Sequence, residues 1–116
     1  MKAVIEKYAG LEFSYPLDCC QFVGECVETI TGRNPADEFE YNSMTGAMRH
    51  IQRFGSLRKL LTHVFGREQP SGEVALLELN GRETAAIVWR GRLVARTPGG
   101  LMDYPLAAAT CFWKVR

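Results

Sequence analysis

A chain of 116 residues with 47% hydrophobic side chains has enough apolar material for one modest core, and this size argues against a second domain. Fourteen Lys and Arg against thirteen Asp and Glu leave a net charge of +1 with no basic run, which excludes a phosphate-tracking stripe for nucleic acid. No segment approaches the ~20 apolar residues of a membrane span, and Ala3, Val4 and Ile5 between Lys2 and Glu6 are too short a run for a secretion signal. A soluble protein made and kept in a cytoplasm is expected.

The first ten residues place Val4, Ile5, Tyr8 and then Leu11 at helical spacing, which predicts a short amphipathic helix ending near Gly10. Glu12 to Leu17 is a loop held extended by Pro16. At Asp18 a second helix is expected, with Asp18 and Gln21 in the spacing of a capping box. Its apolar stripe is Cys19, Phe22, Val23, Cys26 and Ile30, with Gln21, Gly24, Glu25 and Glu28 opposite and Gly32 as its end. Arg33 to Asn42, with Pro35, Asp37, Glu38 and Glu40, reads as a surface loop.

Two further helices carry Met44, Ala47, Met48 and Ile51, and then Leu57, Leu60, Leu61, Val64 and Phe65, separated by Gly55 and Ser56 as stop and cap. Beyond Pro70-Ser71-Gly72 the period changes. Val74 to Leu79, the pair Asn80-Gly81 and Thr84 to Trp89 predict a β-hairpin. A third strand from Leu93 to Arg96, a turn at Pro98-Gly99-Gly100 and a last strand from Cys111 to Val115 would extend it as an antiparallel meander. Helices first and sheet second is the α+β pattern. One domain over 1–116 is expected.

The four cysteines, Cys19, Cys20, Cys26 and Cys111, lack the regular spacing of a secreted cross-linked scaffold, so free thiols are expected. They also lack paired Cys-x-x-Cys hooks, so no metal is expected, and nothing implies a cofactor. Cys19 stands in the first turn of its helix, where unpaired amides and the helix dipole stabilise a thiolate. Two roles are open for it: a nucleophile that needs a base from the sheet, or a small buried residue like Cys26.

The run Asp18-Cys19-Cys20-Gln21-Phe22-Val23 resembles the Asp-Cys-Ser-x-Phe-Val motif of NlpC-like peptidases. These are papain-fold enzymes whose motif cysteine cuts peptidoglycan stem peptides. Gly72-Glu73-Val74 is similar to the family's Gly-Asp-Leu at the first core strand, and Ala85-Ala86-Ile87 to its His-x-Gly-Ile strand. Leu93-Val94-Ala95 running into Pro98-Gly99-Gly100 resembles the strand with the third polar residue. The Asp-Cys-Cys-x-Phe doublet, the helical insert between Gly32 and Pro70, and the ending Tyr104-Pro105-Leu106 to Trp113-Lys114-Val115 resemble small phage proteins of uncharacterised function, typically encoded among tail-tip genes.

The resemblance implies a papain-like core in which Cys19 is the nucleophile position. It also shows what is missing. The histidine position holds Thr84 or Ala85, depending on a one-residue slip, and the third position holds Ala95 or Arg96. None of these is a base, and arginine stays protonated. His50 and His63 read as solvated helix-face residues.

The resemblance therefore implies a pseudo-peptidase serving as a structural component of a phage tail tip or baseplate hub, in the virion and, during assembly, in the host cytoplasm. Its partners would be hub and neighbouring tail proteins, with Trp89, Phe112 and Arg96 as candidates for an interface or remnant cleft. Arg49, Arg53, Arg58 and Lys59 would be solvated or would dock an acidic neighbour. The alternative is an active cysteine peptidase or amidase on host peptidoglycan, with Cys19 as nucleophile and a base supplied from elsewhere.

Overall fold

The computed structural model describes residues 1–10, 18–35 and 44–116. In chain order it contains α1 (Lys2–Ala9), α2 (Asp18–Thr31), α3 (Met44–Phe54), α4 (Leu57–Phe65), β1 (Val74–Leu79), β2 (Arg82–Trp89), β3 (Arg92–Thr97), β4 (Gly100–Pro105) and β5 (Ala109–Trp113). The α+β expectation holds. The cap expected from Asp18, the loop carboxylates Asp37, Glu38 and Glu40, and the face formed by Met44, Ala47 and Met48 lie outside the side chains described.

The five strands form one antiparallel sheet in the order β4-β3-β2-β1-β5. Asn80 and Gly81 both take positive φ, 52° and 78°, as the predicted two-residue hairpin turn demands. Arg90 and Gly91 repeat that geometry between β2 and β3, at 52° and 76°. The Thr97 hydroxyl organises the next turn, accepting from the Gly99 amide at 3.2 Å and donating to the Gly100 carbonyl at 2.9 Å.

The simple meander is corrected in two respects. A fourth strand, β4, pairs with β3 along its length, with Arg92 opposite Pro105 and Thr97 opposite Gly100. The last strand then crosses to the other edge and pairs with β1, Val74 opposite Trp113 and Ala75 opposite Phe112. It runs over Ala109–Trp113 rather than Cys111 to Val115.

Gly72 makes this crossing possible. A Cβ at that position would lie 2.1 Å from the Trp113 carbonyl oxygen, so only glycine admits β5 so closely. Glu73 completes the junction by accepting a hydrogen bond from the Val115 amide at 2.9 Å.

Alternation along the strands divides the sheet into two faces. Val74, Leu76, Ala85, Ile87, Val94, Cys111 and Trp113 meet Tyr8, Phe22, Val23, Cys26, Val27, Leu57, Leu60 and Leu61 in the principal core. Phe22, Val23 and Cys26 of the expected α2 stripe are therefore core, with Val27 added to them, while Cys19 and Ile30 are half-buried and Gly24 is buried. The other face holds Ala75, Leu77, Ala86, Leu93 and Ala95, closed over by Leu79, Val88, Tyr104, Ala109 and Phe112.

The N-terminus of α4 is capped from two directions. The Ser56 hydroxyl accepts from the Lys59 amide at 3.1 Å, as expected of the Gly55-Ser56 break, and the Glu83 carboxylate of β2 accepts from the Leu57 amide at 3.0 Å. The Trp113 indole N–H donates to the Thr62 hydroxyl at 3.3 Å, fixing the same helix to β5.

Candidate functional site

Helix α2 carries Cys19 and Cys20 in its first turn and packs across β2 and β3. Both thiols are half-buried against the principal core, with their sulfurs 4.0 Å apart. The hydrogen bond with Cys19 and then burial push the Cys20 thiol well above its ordinary range. Cys26, one helical stripe inward, is raised to about 12 by burial, with the Met1 amino group opposing and Glu25 adding to the shift. Cys111 is raised to about 11, again by burial first and then by the Glu68 carboxylate. All four cysteines are free thiols, as expected.

The two faces of β2 separate Thr84 from Ala85. Ala85 belongs to the principal core and is fully buried there, whereas Thr84 points away and its hydroxyl bonds the Arg82 carbonyl at 3.4 Å. On β3, Ala95 lies in the second cluster and Arg96 on the helix side. The two positions facing the helices are thus a methyl group and a guanidinium.

Arg96 is 1% exposed and donates to the Tyr8 carbonyl, with its guanidinium 5.5 Å from the centre of the Tyr8 ring. That carbonyl belongs to the last turn of α1, where helix geometry leaves acceptors without intrahelical donors and the dipole favours a cation. The Tyr8 hydroxyl donates to Glu25 of α2, which also pairs with Lys7 at 2.7 Å. Arg96 therefore fastens α1 to the sheet, and Tyr8 links the same helix to α2. Sequence reasoning placed Tyr8 on the apolar stripe of α1 and Glu25 on the outer side of α2, and no signal in either position marked this junction.

The other candidates are dispersed. Trp89 packs half-buried against the principal core with the Arg90 guanidinium 4.2 Å from its ring centre, whereas Phe112 packs on the second face. They do not form one patch. His63 is exposed and its ring lies 4.7 Å from that of Phe54, and His50 is half-buried on α3. Arg58 is engaged by Glu68, whose carboxyl it holds below the usual range, so it does not present an unpaired basic face.

A groove of about 240 Å³ lies between the C-terminal ends of α2 and α4 and the chain end, lined in part by Thr31, Phe65 and Lys114, and so sits at the far end of α2 from Cys19. Among the described residues, no group of three or more His, Cys, Asp or Glu side chains is placed to hold a metal ion, and no helix is long and apolar enough to cross a membrane.

No curated protein and no solved structure matches the chain. One family model does, over residues 1–115. With nearly the whole chain covered, the protein belongs to the family described as a domain of unknown function, DUF6950.

Proposed function

We propose that this protein is a structural and interaction component of a phage tail tip or baseplate hub, a pseudo-peptidase of NlpC-like, papain-like fold. The observation that carries the reading is Ala85. On the resemblance to NlpC-like enzymes it occupies one of the two candidate histidine positions, and it is the one that faces the helices, fully buried in an apolar core. A methyl group transfers no proton, and general acid-base transfer accounts for about two to four decades of rate in such chemistry. The third polar position is occupied by Arg96, whose guanidinium serves the Tyr8 carbonyl. A helix that opens on Cys19 and packs on antiparallel strands is what the NlpC-like reading expects.

Its partners are hub and neighbouring tail proteins, and its place is the virion, with the host cytoplasm as the site of assembly. The test is complementation of a phage lacking the gene. Full titre and normal tails with Cys19→Ala support the binding role, and normal tails without the gene overturn it. A second reading, an active peptidase or amidase on peptidoglycan, draws on one observation: Cys19 is only half-buried, so a partner-supplied base has access to it. That reading predicts normal tails but lost infectivity with Cys19→Ala.

A further inference from the structure

The doublet at the start of α2 has a chemistry of its own that does not depend on the tail-tip reading. The Cys19 and Cys20 sulfurs are 4.0 Å apart and both side chains are half-buried, whereas Cys26 and Cys111 are sealed in the core. Oxidation follows exposure and thiolate character, and cysteines that respond reversibly to oxidants stand beside a second thiol able to resolve them. A helix N-terminus favours the anion at Cys19.

We propose that Cys19 and Cys20 form an oxidative modification site, at which a hydroperoxide oxidises Cys19 and Cys20 resolves the product as a disulfide between adjacent residues. In the first step the Cys19 thiolate attacks a peroxide oxygen; the S–O bond forms, the O–O bond breaks, and the departing alkoxide takes a proton to leave as an alcohol or water. In the second step the Cys20 thiol gives up its proton and its sulfur attacks the Cys19 sulfenic sulfur. The S–S bond forms, the S–O bond breaks, and hydroxide leaves with that proton as water. Two thiols are oxidised by two electrons and one peroxide is reduced.

The order of the two thiols follows from their contact. While Cys19 is anionic its hydrogen bond and charge keep Cys20 protonated; a neutral sulfenic acid at Cys19 removes that charge. The product is strained. Adjacent Cα atoms stand ~3.8 Å apart, below the ~4.4 Å lower limit of ordinary disulfides, and the sulfurs must close from 4.0 Å to ~2.05 Å. The first turn of α2 therefore opens on oxidation, and the bond is readily reduced.

The experiment exposes the full chain to hydrogen peroxide with dimedone present as sulfenic-acid trap, and locates the products by peptide mass spectrometry. The wild type is expected to lose two hydrogens across Cys19 and Cys20, to carry no dimedone, and to recover with dithiothreitol. Cys20→Ala is expected to carry dimedone on Cys19, and Cys19→Ala to show neither product at Cys20. Equal trapping on Cys19 in the wild type and in Cys20→Ala overturns the resolving role, and an unmodified pair overturns the site. Thermal unfolding of each variant shows that the fold is retained, and the serine variant at the same position, Cys19→Ser or Cys20→Ser, replaces an alanine variant that fails this check.

Discussion

The Arg96 guanidinium on β3 donates a hydrogen bond to the Tyr8 carbonyl in the last turn of α1, joining two positions 88 residues apart inside the core. Arg96 is 1% exposed, so its charge is stabilised by the acceptors around it rather than by water. Arg96→Met keeps most of the side-chain volume and deletes the donor. A loss of about 1.5–3 kcal/mol is expected, the value of a buried hydrogen bond to a charged group. Chemical denaturation measures it, and faster amide exchange confined at first to α1 identifies the contact responsible.

Gly72→Ala is expected to cost about 3 kcal/mol or more, at the upper end for overpacking. The new methyl carbon would stand 2.1 Å from the Trp113 carbonyl oxygen and 2.4 Å from its carbon, which are backbone atoms of a strand held by β1. No rotamer relieves this. The denaturation midpoint of the variant against wild type is the measurement.

The buried thiols predict how stability responds to alkali. An unfolded cysteine titrates near ~8.5, whereas folding raises Cys26 to about 12 and Cys111 to about 11. The folded state therefore holds protons that the unfolded chain has released. The stability this confers is complete below the unfolded value and is lost as pH rises toward the folded values, at about 1.4 kcal/mol per pH unit for each thiol in the window. Denaturation midpoints from pH 8 to 11 should fall less steeply for Cys26→Ala than for wild type.

Helix α4 is expected to depend on both of its caps. Ser56→Ala should cost about 1 kcal/mol, and Glu83→Ala a similar amount by leaving the Leu57 amide without its acceptor at 3.0 Å. The two groups serve different amides of one turn, so a double-mutant cycle in chemical denaturation is expected to show near-additive losses.

Much of the fold was legible because local chemistry and tertiary structure agree. The four helices follow their apolar periods, and Asn80-Gly81 marks the first hairpin. The second antiparallel pair, β2 with β3, follows from the expected third strand, but its turn was not marked, since Arg90 takes a positive φ that arginine rarely signals. Strand β4 was missed because it opens on Gly100 and ends on Pro105, residues tolerated there by its place at the sheet edge. The edge to which β5 returns is a long-range choice, made by close approach at Gly72 that no local pattern records. At the candidate site, Cys19 at the opening of α2 was legible as a position. Which of Thr84 and Ala85 faces the helices was not, because a one-residue slip exchanges the faces of a strand. Arg96 reads in the sequence as an interface or cleft candidate, and in the fold its guanidinium is buried and donates to the Tyr8 carbonyl.

On the proposed pseudo-peptidase reading, in which the buried methyl group of Ala85 stands at the histidine position of the NlpC-like enzymes, Cys19 does not cleave amides. The direct measurement is digestion of purified peptidoglycan by wild type and by Cys19→Ala, with released stem-peptide fragments followed by mass spectrometry. The same background release is expected from both proteins. Fragments released by wild type and absent with Cys19→Ala would contradict it.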